Sequence, residues 1–306
     1  MPGRKAEVGI ISDTVQGRAV ASRVTAYCPG HISGYFRPVM GNEYRDTGSI
    51  GAGIVTEEGV SVRASPSDTT SIVAKRLLKD GTVREVFRDS PPLSYITRRL
   101  GVAVHLETEC HLPIGAGFGL SAAALMASAL AVNTLFNLGM TKHACAELAH
   151  EVEIVHRTGL GDVAACQDGG RDFRMGPGIG AEIRRFHDLD QPLYTINFGP
   201  LPSPLILGSS EALHRISAAY PEEYPGSPEK FFRLSLSFAE RSGLLSPELH
   251  ELLIQCEKEG ITASMTMLGN GIFAMGTGAR DFLDSYGEVL ELHVASGGVR
   301  IVEVSP

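Results

Sequence analysis

The stretch LPIGAGFGLSAAA, residues 112–124, joins two segments of different hydrophobic pattern. Before it, apolar and polar residues alternate over 102–112, which predicts a strand with one buried face. After it, residues 121–138 are rich in strong helix formers and apolar nearly all round, which predicts a buried helix. The glycines at 115, 117 and 119 therefore lie between a strand and a helix, which is the context that a phosphate-binding loop needs.

Three interpretations of this loop compete. The glycine spacing does not match the GxGxxG of a dinucleotide site, and no lysine follows the last glycine as in a Walker A loop. A tight connection whose glycines serve packing alone remains an alternative. Ser121 favours an anion site instead, because its hydroxyl, the free N–H groups of the helix and a partial charge of roughly +0.5 would face one phosphate. The same hydroxyl can reach a magnesium ion held by the phosphates.

The composition excludes several classes of protein. The 306 residues carry a formal net charge of −8, which argues against a nucleic-acid binder. The five cysteines are scattered without a CxxC pair, which predicts free thiols in a reducing compartment and no zinc site. No apolar run approaches the roughly 18 residues of a membrane span. We expect a cytoplasmic protein with no nucleic-acid and no membrane partner; the oligomeric state stays open, with a homodimer among the alternatives.

Further elements follow from local pattern. Residues 22–36 (SRVTAYCPGHISGYF) predict a short strand that breaks into a Pro-Gly loop, and 47–55 (TGSIGAGIV) predict a tight turn before another strand. Further strands are predicted at 57–65, 82–87, 271–276 and 299–304, and helices at 227–243 and 246–260. A strand with a proline-rich link near 190–204 predicts the domain boundary. The predicted division is an extension at 1–22, an N-terminal domain at 23–197 and a C-terminal domain at 198–306.

A second helix is predicted from an N-cap at Thr141 to about Arg157, before the stop at Gly159. Its apolar stripe consists of Cys145, Leu148, Val152 and Val155. His150 and Glu153 lie together on the opposite face at 100° per residue, which predicts an outward-looking pair.

Several boxes of the chain resemble those of the GHMP kinases. PIGAGFGLSAA (113–123) resembles the Pro-x-x-x-Gly-Leu-Gly-Ser-Ser-Ala-Ala box of the family, and HRTGLGDVAACQDGG (156–170) resembles the segment with its catalytic aspartate. CPGHISGYF (28–36) is similar to the N-terminal substrate-side box, and TMLGNGIFAM (266–275) to the third glycine box. The boxes occur in the family's order. Within the superfamily, CPGHISGYF, TGSIGAGI and AHEVEIVHRTGLGDV resemble the archaeal pantoate kinases.

The resemblance implies an α+β fold, with a nucleotide-binding N-terminal domain like ribosomal S5 domain 2 and a ferredoxin-like C-terminal domain. It also implies transfer of the γ-phosphate of ATP, with Mg²⁺, to the primary hydroxyl of pantoate, which supplies 4-phosphopantoate for coenzyme A. Two alternatives are another kinase of the superfamily, acting on mevalonate, a sugar or homoserine, and a non-catalytic ligand-binding protein on the same scaffold.

The resemblance also assigns roles to individual residues. Asp162 would be the catalytic residue, and Ser121 with Glu153 would hold the metal. Contacts to pantoate would come from Ser33, His150 and Arg174. The ATP-binding residues would be Pro113, Gly115, Ala116, Gly117, Gly119, Leu120, Ser121 and Ala122.

Other residues and roles compete with these assignments. Asp162 and Ser33 could simply serve turns, and His150 could be a surface histidine. Glu151 competes with Glu153 for the metal, and Arg171 competes with Arg174 for the substrate carboxylate. Cys28 and His31 could line the same pocket or only pack.

Two departures from the family pattern concern the glycine boxes. Leu120 stands where the central box has its first serine, which leaves Ser121 alone for the metal and phosphate role. The third box keeps Gly269 and Gly271 but has Asn270 and Ile272 between and after them.

Overall fold

Two long antiparallel strands, β1 (Arg23–Val39) and β2 (Gly48–Pro66), form the centre of the first of two sheets. The computed structural model describes residues 18–306. The remaining strands are β3 (Ser71–Leu77), β4 (Val83–Arg88), β5 (Val104–Cys110), β6 (Arg171–Arg174), β7 (Ile183–Phe186), β8 (Leu193–Pro200), β9 (Thr262–Met265), β10 (Gly269–Met275), β11 (Leu290–Leu292) and β12 (Arg300–Ser305). The helices are α1 (Pro91–Leu100), α2 (Leu120–Phe136), α3 (Lys142–Val155), α4 (Asp162–Ala165), α5 (Ser203–Leu207), α6 (Ser210–Ala219), α7 (Pro228–Ser242), α8 (Pro247–Lys258) and α9 (Ala279–Asp284). A 3₁₀ turn at Tyr44–Asp46 joins β1 to β2.

The first sheet divides along β2. Its strand order is β12-β1-β2-β5-β3-β4, with only β3 and β5 parallel. The C-terminal half of β2 pairs with β5, whereas residues 51–54 pair with β6, which in turn pairs with β7. The fork brings three chain segments, β1, β2 and β6, side by side at one place.

The second sheet has the order β11-β8-β10-β9, and all its neighbours are antiparallel. Counted along the chain, this is a βαββαβ unit with strand order 4-1-3-2, in which helices α5 to α8 fill the first crossover and α9 the second. This is the ferredoxin-like arrangement. The structure therefore confirms the predicted α+β class and the ferredoxin-like C-terminal sheet.

The strand and helix that flank the glycine loop are as predicted. β5 alternates buried and half-buried residues along its whole length. α2 is apolar nearly all round because it is covered on both sides: it packs on β1 and β2 and is contacted by α1 and α3. The loop between them is thus held by two buried elements.

Helix α3 has the predicted N-cap but a different environment. The Thr141 hydroxyl accepts a hydrogen bond from Ala144 N at 3.1 Å. The helix ends at Val155, before a left-handed Arg157 with φ of 53°. The predicted outward orientation of His150 and Glu153 is wrong, because that face packs against α4 and the 3₁₀ turn and both residues are 1% exposed.

The predictions of a Pro-Gly loop at 28–36 and of a tight turn at 47–55 are also wrong. β1 is continuous, and Pro29 lies in a bulge between Cys28 and Gly30, beyond the last residue that pairs with β12. A bulge accommodates a proline that cannot donate to the ladder. The glycines of 47–55 lie inside β2, where they permit close approach rather than reversal: a Cβ at Gly51 would overlap the backbone of Tyr35.

The predicted domain limits stay a prediction. The proposed boundary at 197/198 falls inside β8, and β12 of the predicted C-terminal part pairs with β1 in the first sheet. Of the predicted extension 1–22, residues 1–17 lie outside the described part of the chain. In the remainder, Val20 N donates to Leu135 O at 2.9 Å, and Ser22 N donates to Ser305 O at 3.0 Å.

Candidate active site

A cleft lies between the glycine loop and the N-terminal end of α4. β1 and β2 supply its floor, and the turn before β10 and helix α5 supply its opposite wall. Its lining residues are Ser33, Phe36, Ser49, Ile114, Gly115, Gly117, Phe118, Gly119, Leu120, Ser121, Thr158, Leu160, Gly161, Asp162, Ser203, Leu207, Met267 and Leu268.

The glycine loop adopts a conformation that L side chains disfavour. Gly115, Gly117 and Gly119 have φ of 79°, 83° and 60°, so each turns the backbone into the left-handed region. Successive turns of this kind form concave groups of N–H donors that bind anions. Gly119 also caps α2, and the exposed Ser121 lies in the first turn of that helix. The loop geometry therefore favours an anion at the start of α2.

The two departures from the family pattern have structural explanations. The Leu120 side chain, only 6% exposed, joins the hydrophobic core, so the position contributes packing and no hydroxyl. Gly269 braces the glycine loop, because a Cβ there would overlap the carbonyl of Ala116. The third box thus supports the loop from behind.

Asp162, the first residue of α4, meets two residues of β1 in the cleft. Its Oδ1 accepts from His31 Nδ1 at 2.7 Å and lies 3.5 Å from the Ser33 hydroxyl. The side chain is 20% exposed, so the carboxylate faces the cleft rather than the core. Asp162 is therefore placed to meet a hydroxyl that enters the cleft.

His31 is fully buried between two carboxylates. Its Nε2 lies 2.8 Å from Asp172 Oδ1, on the side away from Asp162. Burial lowers the pKa of His31, but the charges and hydrogen bonds of Asp172 and Asp162 outweigh this effect and raise it to about 9. The ring is accordingly a cation at neutral pH. A Cβ at Gly53 would overlap the ring, so the glycine on β2 makes room for it.

Asp172 holds a second cation. Its Oδ2 accepts from Arg174 Nη1, and both residues are almost completely buried. Burial raises the pKa of Asp172, but Arg174 and His31 outweigh it and hold the pKa below the usual range of a carboxyl. Asp172 and Arg174 are two residues apart on β6 and therefore share one face of the strand.

Arg174 and its rival Arg171 have different environments. Arg171 donates to both oxygens of Asp188 and to Pro225 O, and its guanidinium stacks 4.5 Å from the centre of the Phe186 ring. Within residues 18–306, by contrast, Arg174 Nε is buried without a hydrogen-bond partner. A Cβ at Gly161, which lines the cleft, would lie 3.0 Å from this atom.

Glu153 and His150 lie behind the cleft. Glu153 Oε1 accepts from the backbone N–H groups of Asp162 and Val163 at 3.2 and 3.4 Å, which caps α4. Its Oε2 lies 3.0 Å from His150 Nδ1, and His150 Nε2 donates to Thr47 O at 2.9 Å. Burial raises the pKa of Glu153. Burial lowers the pKa of His150, but the hydrogen bond and the charge of Glu153 outweigh the effect of burial, so the pKa of His150 is raised.

The donor chemistry fits Mg²⁺. No cluster of three or more His, Cys, Asp or Glu side chains suited to a metal occurs within residues 18–306. Mg²⁺ needs only one or two protein carboxylates, because it keeps water and phosphate oxygens as its other ligands. Ser121 lines the cleft, whereas Glu153 is buried behind it and would have to exchange hydrogen bonds to His150 or to the start of α4 for the metal.

The sequence-predicted residues thus fall into two groups. Ser33, Gly115, Gly117, Gly119, Leu120, Ser121 and Asp162 line the cleft. Pro113, Ala116, Ala122, His150, Glu153 and Arg174 are not among the lining residues. Sequence reasoning missed Ser49 and Asp172 and left His31 without a role. A period-two interpretation of RDFR (171–174) would have placed Asp172 on the same face as Arg174.

Comparison with known proteins places the chain in a family. The GHMP kinases N-terminal domain family matches residues 82–170. The chain is 42% identical over 281 residues to a pantoate kinase of Methanospirillum hungatei, covering 92% of this chain and 97% of that protein. A pantoate kinase of Thermococcus kodakarensis is 32% identical, with 82% of this chain and 87% of that protein covered.

A solved structure described as a phosphotransferase related to the CoA biosynthesis pathway superposes with a TM-score of 0.77 at 26% identity. The match covers 92% of this chain and 98% of that one. Family match, sequence identity over nearly the whole relative and common fold all agree, and the chain therefore belongs to the pantoate kinase family of the GHMP kinases.

Proposed function

We propose that this chain transfers the γ-phosphate of ATP to the primary hydroxyl of pantoate, forming 4-phosphopantoate for coenzyme A biosynthesis. One observation carries the proposal: a single cleft contains Asp162, the Ser33 hydroxyl and the glycine loop at the start of α2. The proposal is further supported by the two pantoate kinases that the chain matches over most of their length.

The substrate hydroxyl and carboxylate need different partners. The hydroxyl would approach Asp162, whose Oδ1 is already held by His31 and which faces the cleft. The carboxylate would approach Arg174 Nε, because a guanidinium N–H that is buried without a partner gains most from an anionic acceptor. Ser33 and Ser49, both in the cleft lining, would bind the remaining polar groups of the substrate.

The nucleotide would occupy two adjoining spaces. Its phosphates would lie on the glycine loop and the first N–H groups of α2. An apolar pocket of about 450 Å³ shares Ile114, Leu120 and Ser121 with the main cleft and extends beneath Phe87 and Leu93. We assign this pocket to the base, because mostly apolar walls suit an aromatic ring.

In the reaction, the substrate hydroxyl oxygen forms a bond to the γ-phosphorus while the bond from that phosphorus to the β–γ bridging oxygen breaks. Asp162 accepts the hydroxyl proton, and ADP leaves with the bridging oxygen. A positioned base of this kind contributes roughly 10²- to 10⁴-fold to the rate. Donors at the start of α2 meet the negative charge of the phosphates.

Mg²⁺ would be held by Ser121 and Glu153, together with phosphate oxygens. When bound, the ion neutralises part of the charge on the transferring phosphoryl group.

A substrate panel tests the proposal. Purified protein with ATP and Mg²⁺ is assayed for ADP formation with pantoate, mevalonate, galactose and homoserine. We expect pantoate to give kcat/KM at least 100-fold above the others. Turnover of another acceptor with none on pantoate would reassign the substrate within the superfamily.

A variant distinguishes an enzyme from a binding protein. Asp162→Ala is expected to lower kcat by two or more orders of magnitude while ATP binding, measured by calorimetry, stays within a few-fold. If neither turnover nor binding changes, the protein is a non-catalytic binder on this scaffold.

A further inference from the structure

A buried chain of charged groups reaches the catalytic carboxylate from the side away from the cleft. In order, its members are Arg174, Asp172, His31 and Asp162. Arg174 Nη1 donates to Asp172 Oδ2, and Asp172 Oδ1 lies 2.8 Å from His31 Nε2. On the other side of the ring, His31 Nδ1 lies 2.7 Å from Asp162 Oδ1. Asp172 and His31 are 0% exposed, so neither is a surface charge that water could replace.

We propose that Asp172 is a positioning residue that acts through His31: it holds the imidazole so that Nδ1–H donates to Asp162 Oδ1, which leaves Oδ2 for the substrate hydroxyl. This inference rests on the proposed function of Asp162.

The geometry specifies which oxygen reacts. Oδ1 of Asp162 is taken by His31 and approached by Ser33, whereas Oδ2 has no hydrogen-bond partner within residues 18–306. A carboxylate held by one oxygen cannot rotate freely, so Oδ2 keeps one direction. The backbone N–H of Asp162 is fixed separately by Glu153. His31 therefore orients the side chain, and Glu153 orients the backbone.

Two positions next to His31 require glycine for this arrangement to fit. Gly53 on β2 clears the space beside His31 Nε2, and Gly119 packs against the His31 backbone, with a Cβ there only 3.1 Å from His31 Cβ. His31 N also donates to Phe118 O at 3.0 Å. The glycine loop thus holds the backbone of His31 and β6 holds its ring, which links the position of Asp162 to both halves of the site.

The charge of His31 depends on groups from two elements. Asp172 and Arg174 face the ring from β6, and Asp162 and Cys166 lie near it on and just after α4. The Asp172 charge is the largest contribution that opposes burial, and together with Asp162 it raises the His31 pKa to about 9. Without the Asp172 charge, only Asp162 would oppose the effect of burial, and the pKa of His31 would fall.

Asp172→Asn tests the proposal, because it keeps the shape of the side chain and removes its charge. The pH profile of kcat with pantoate and ATP is measured, together with the ring titration of His31 by NMR on the apo protein. We expect kcat at pH 8 to fall roughly 10- to 100-fold, with KM for ATP within a few-fold. The alkaline limb of kcat and the His31 titration should both move from about pH 9 to lower pH.

Asp188→Asn is the matched control. Asp188 also partners a buried arginine of β6, Arg171, but it contacts neither His31 nor the cleft. The Asp188→Asn protein should have a lower free energy of unfolding and an unchanged pH profile of kcat. If Asp172→Asn and Asp188→Asn give the same kcat and the same pH profile as each other, Asp172 is only a structural partner of Arg174 and the proposal is wrong.

A second variant covers failure of Asp172→Asn to fold. His31→Gln removes the titrating ring, and we expect it to remove the alkaline limb and lower kcat while ATP binding is retained. An unchanged alkaline limb would overturn the proposal. Wild-type protein without pantoate kinase activity would instead reject the proposed function, while the NMR titration would still show whether Asp172 controls the charge of His31.

Discussion

Arg171 and Arg174 lie three residues apart on β6, are both buried and are not interchangeable. Arg171 is saturated by Asp188, Pro225 and the Phe186 ring, whereas Arg174 keeps an unpartnered Nε next to the cleft. Sequence left the two as rivals, because residue type alone does not say which guanidinium is already satisfied. The difference arises from the partners that the fold brings to each one.

Arg174→Lys is therefore expected to raise KM for pantoate by roughly 10- to 100-fold, since lysine lacks the planar guanidinium that a carboxylate matches. Steady-state kinetics with varied pantoate gives this value. Arg171→Lys serves as the control: it should lower the free energy of unfolding and leave KM for pantoate unchanged. Equal effects of the two variants on KM would show that Arg174 has no special contact with substrate.

Glu153 has two roles that one variant separates. In the structure it caps α4 and bonds His150, and the metal role is our proposal. Glu153→Gln should raise the Mg²⁺ concentration for half-maximal activity by roughly 10- to 100-fold, the usual effect of damage to a metal site. A lower free energy of unfolding with an unchanged Mg²⁺ requirement would mean that Glu153 serves α4 alone.

At the scale of elements, the glycine loop combines backbone conformation with close packing. Gly117 has φ of 83°, and a Cβ there would lie 2.9 Å from Met267 O. Gly101, the C-cap of α1, has φ of 67° but nothing within 4 Å of an added Cβ. The two positions thus share the conformational constraint and differ in the surroundings.

Gly101→Ala should lower the free energy of unfolding by about 1–2 kcal/mol, the cost of a left-handed L residue. Gly117→Ala should lower it further, because its Cβ would also overlap the Met267 carbonyl. Only Gly117→Ala should also raise KM for ATP, by roughly tenfold, which corresponds to about 1.4 kcal/mol. Chemical denaturation and ATP kinetics on both variants measure the two effects. An unchanged KM for ATP in Gly117→Ala would argue that the phosphates do not contact this loop.

The two central strands show where local pattern misleads. Pro29-Gly30 and the glycines of 47–55 have the composition of turns, yet both segments are extended. The glycines are needed because β1, β2 and β6 approach closely at the fork, and the proline is tolerated at a bulge beyond the reach of β12. Turn propensity is a local property, whereas strand pairing is a contact between distant segments.

At the scale of the whole molecule, the C-terminal strand returns to the first sheet. β12 pairs with residues 23–27 of β1, the strand that carries His31 and Ser33. The site therefore depends on both ends of the described chain and on the ferredoxin-like sheet, whose Gly269 supports the glycine loop.

The described residues include no helix long and apolar enough to cross a membrane.

The stability of the whole protein should depend on pH through His31. Its pKa rises from about 6.5 in the unfolded chain to about 9 in the fold, so the stabilisation is full below pH 6.5 and is lost as the pH rises through 9. The loss amounts to about 3 kcal/mol. Urea denaturation at pH 6, 7.5 and 9 should show this decline in the wild type and much less of it in His31→Gln. An equally steep decline in both proteins would show that other groups cause it.

The sequence by itself determined the elements that depend on local pattern and the order of the family's boxes. The alternating strand β5, the buried helix α2 and the cap at Thr141 could be inferred, because hydrophobic period and capping residues are written along the chain. The α+β class and the family were implied by the resemblance of four boxes to those of the GHMP kinases. Asp162, Ser33 and Ser121 could be named in the same way, and the structure brings them to one cleft.

Only the tertiary structure decided what surrounds the functional groups. It buried His150 and Glu153, distinguished Arg174 from Arg171, and placed His31 between Asp162 and Asp172, which are 131 and 141 residues away along the chain. Burial, partner choice and pKa arise from contacts between segments that are distant in sequence, and no local pattern encodes them. For this protein, the clearest case is the charge of His31, the residue that we propose orients Asp162.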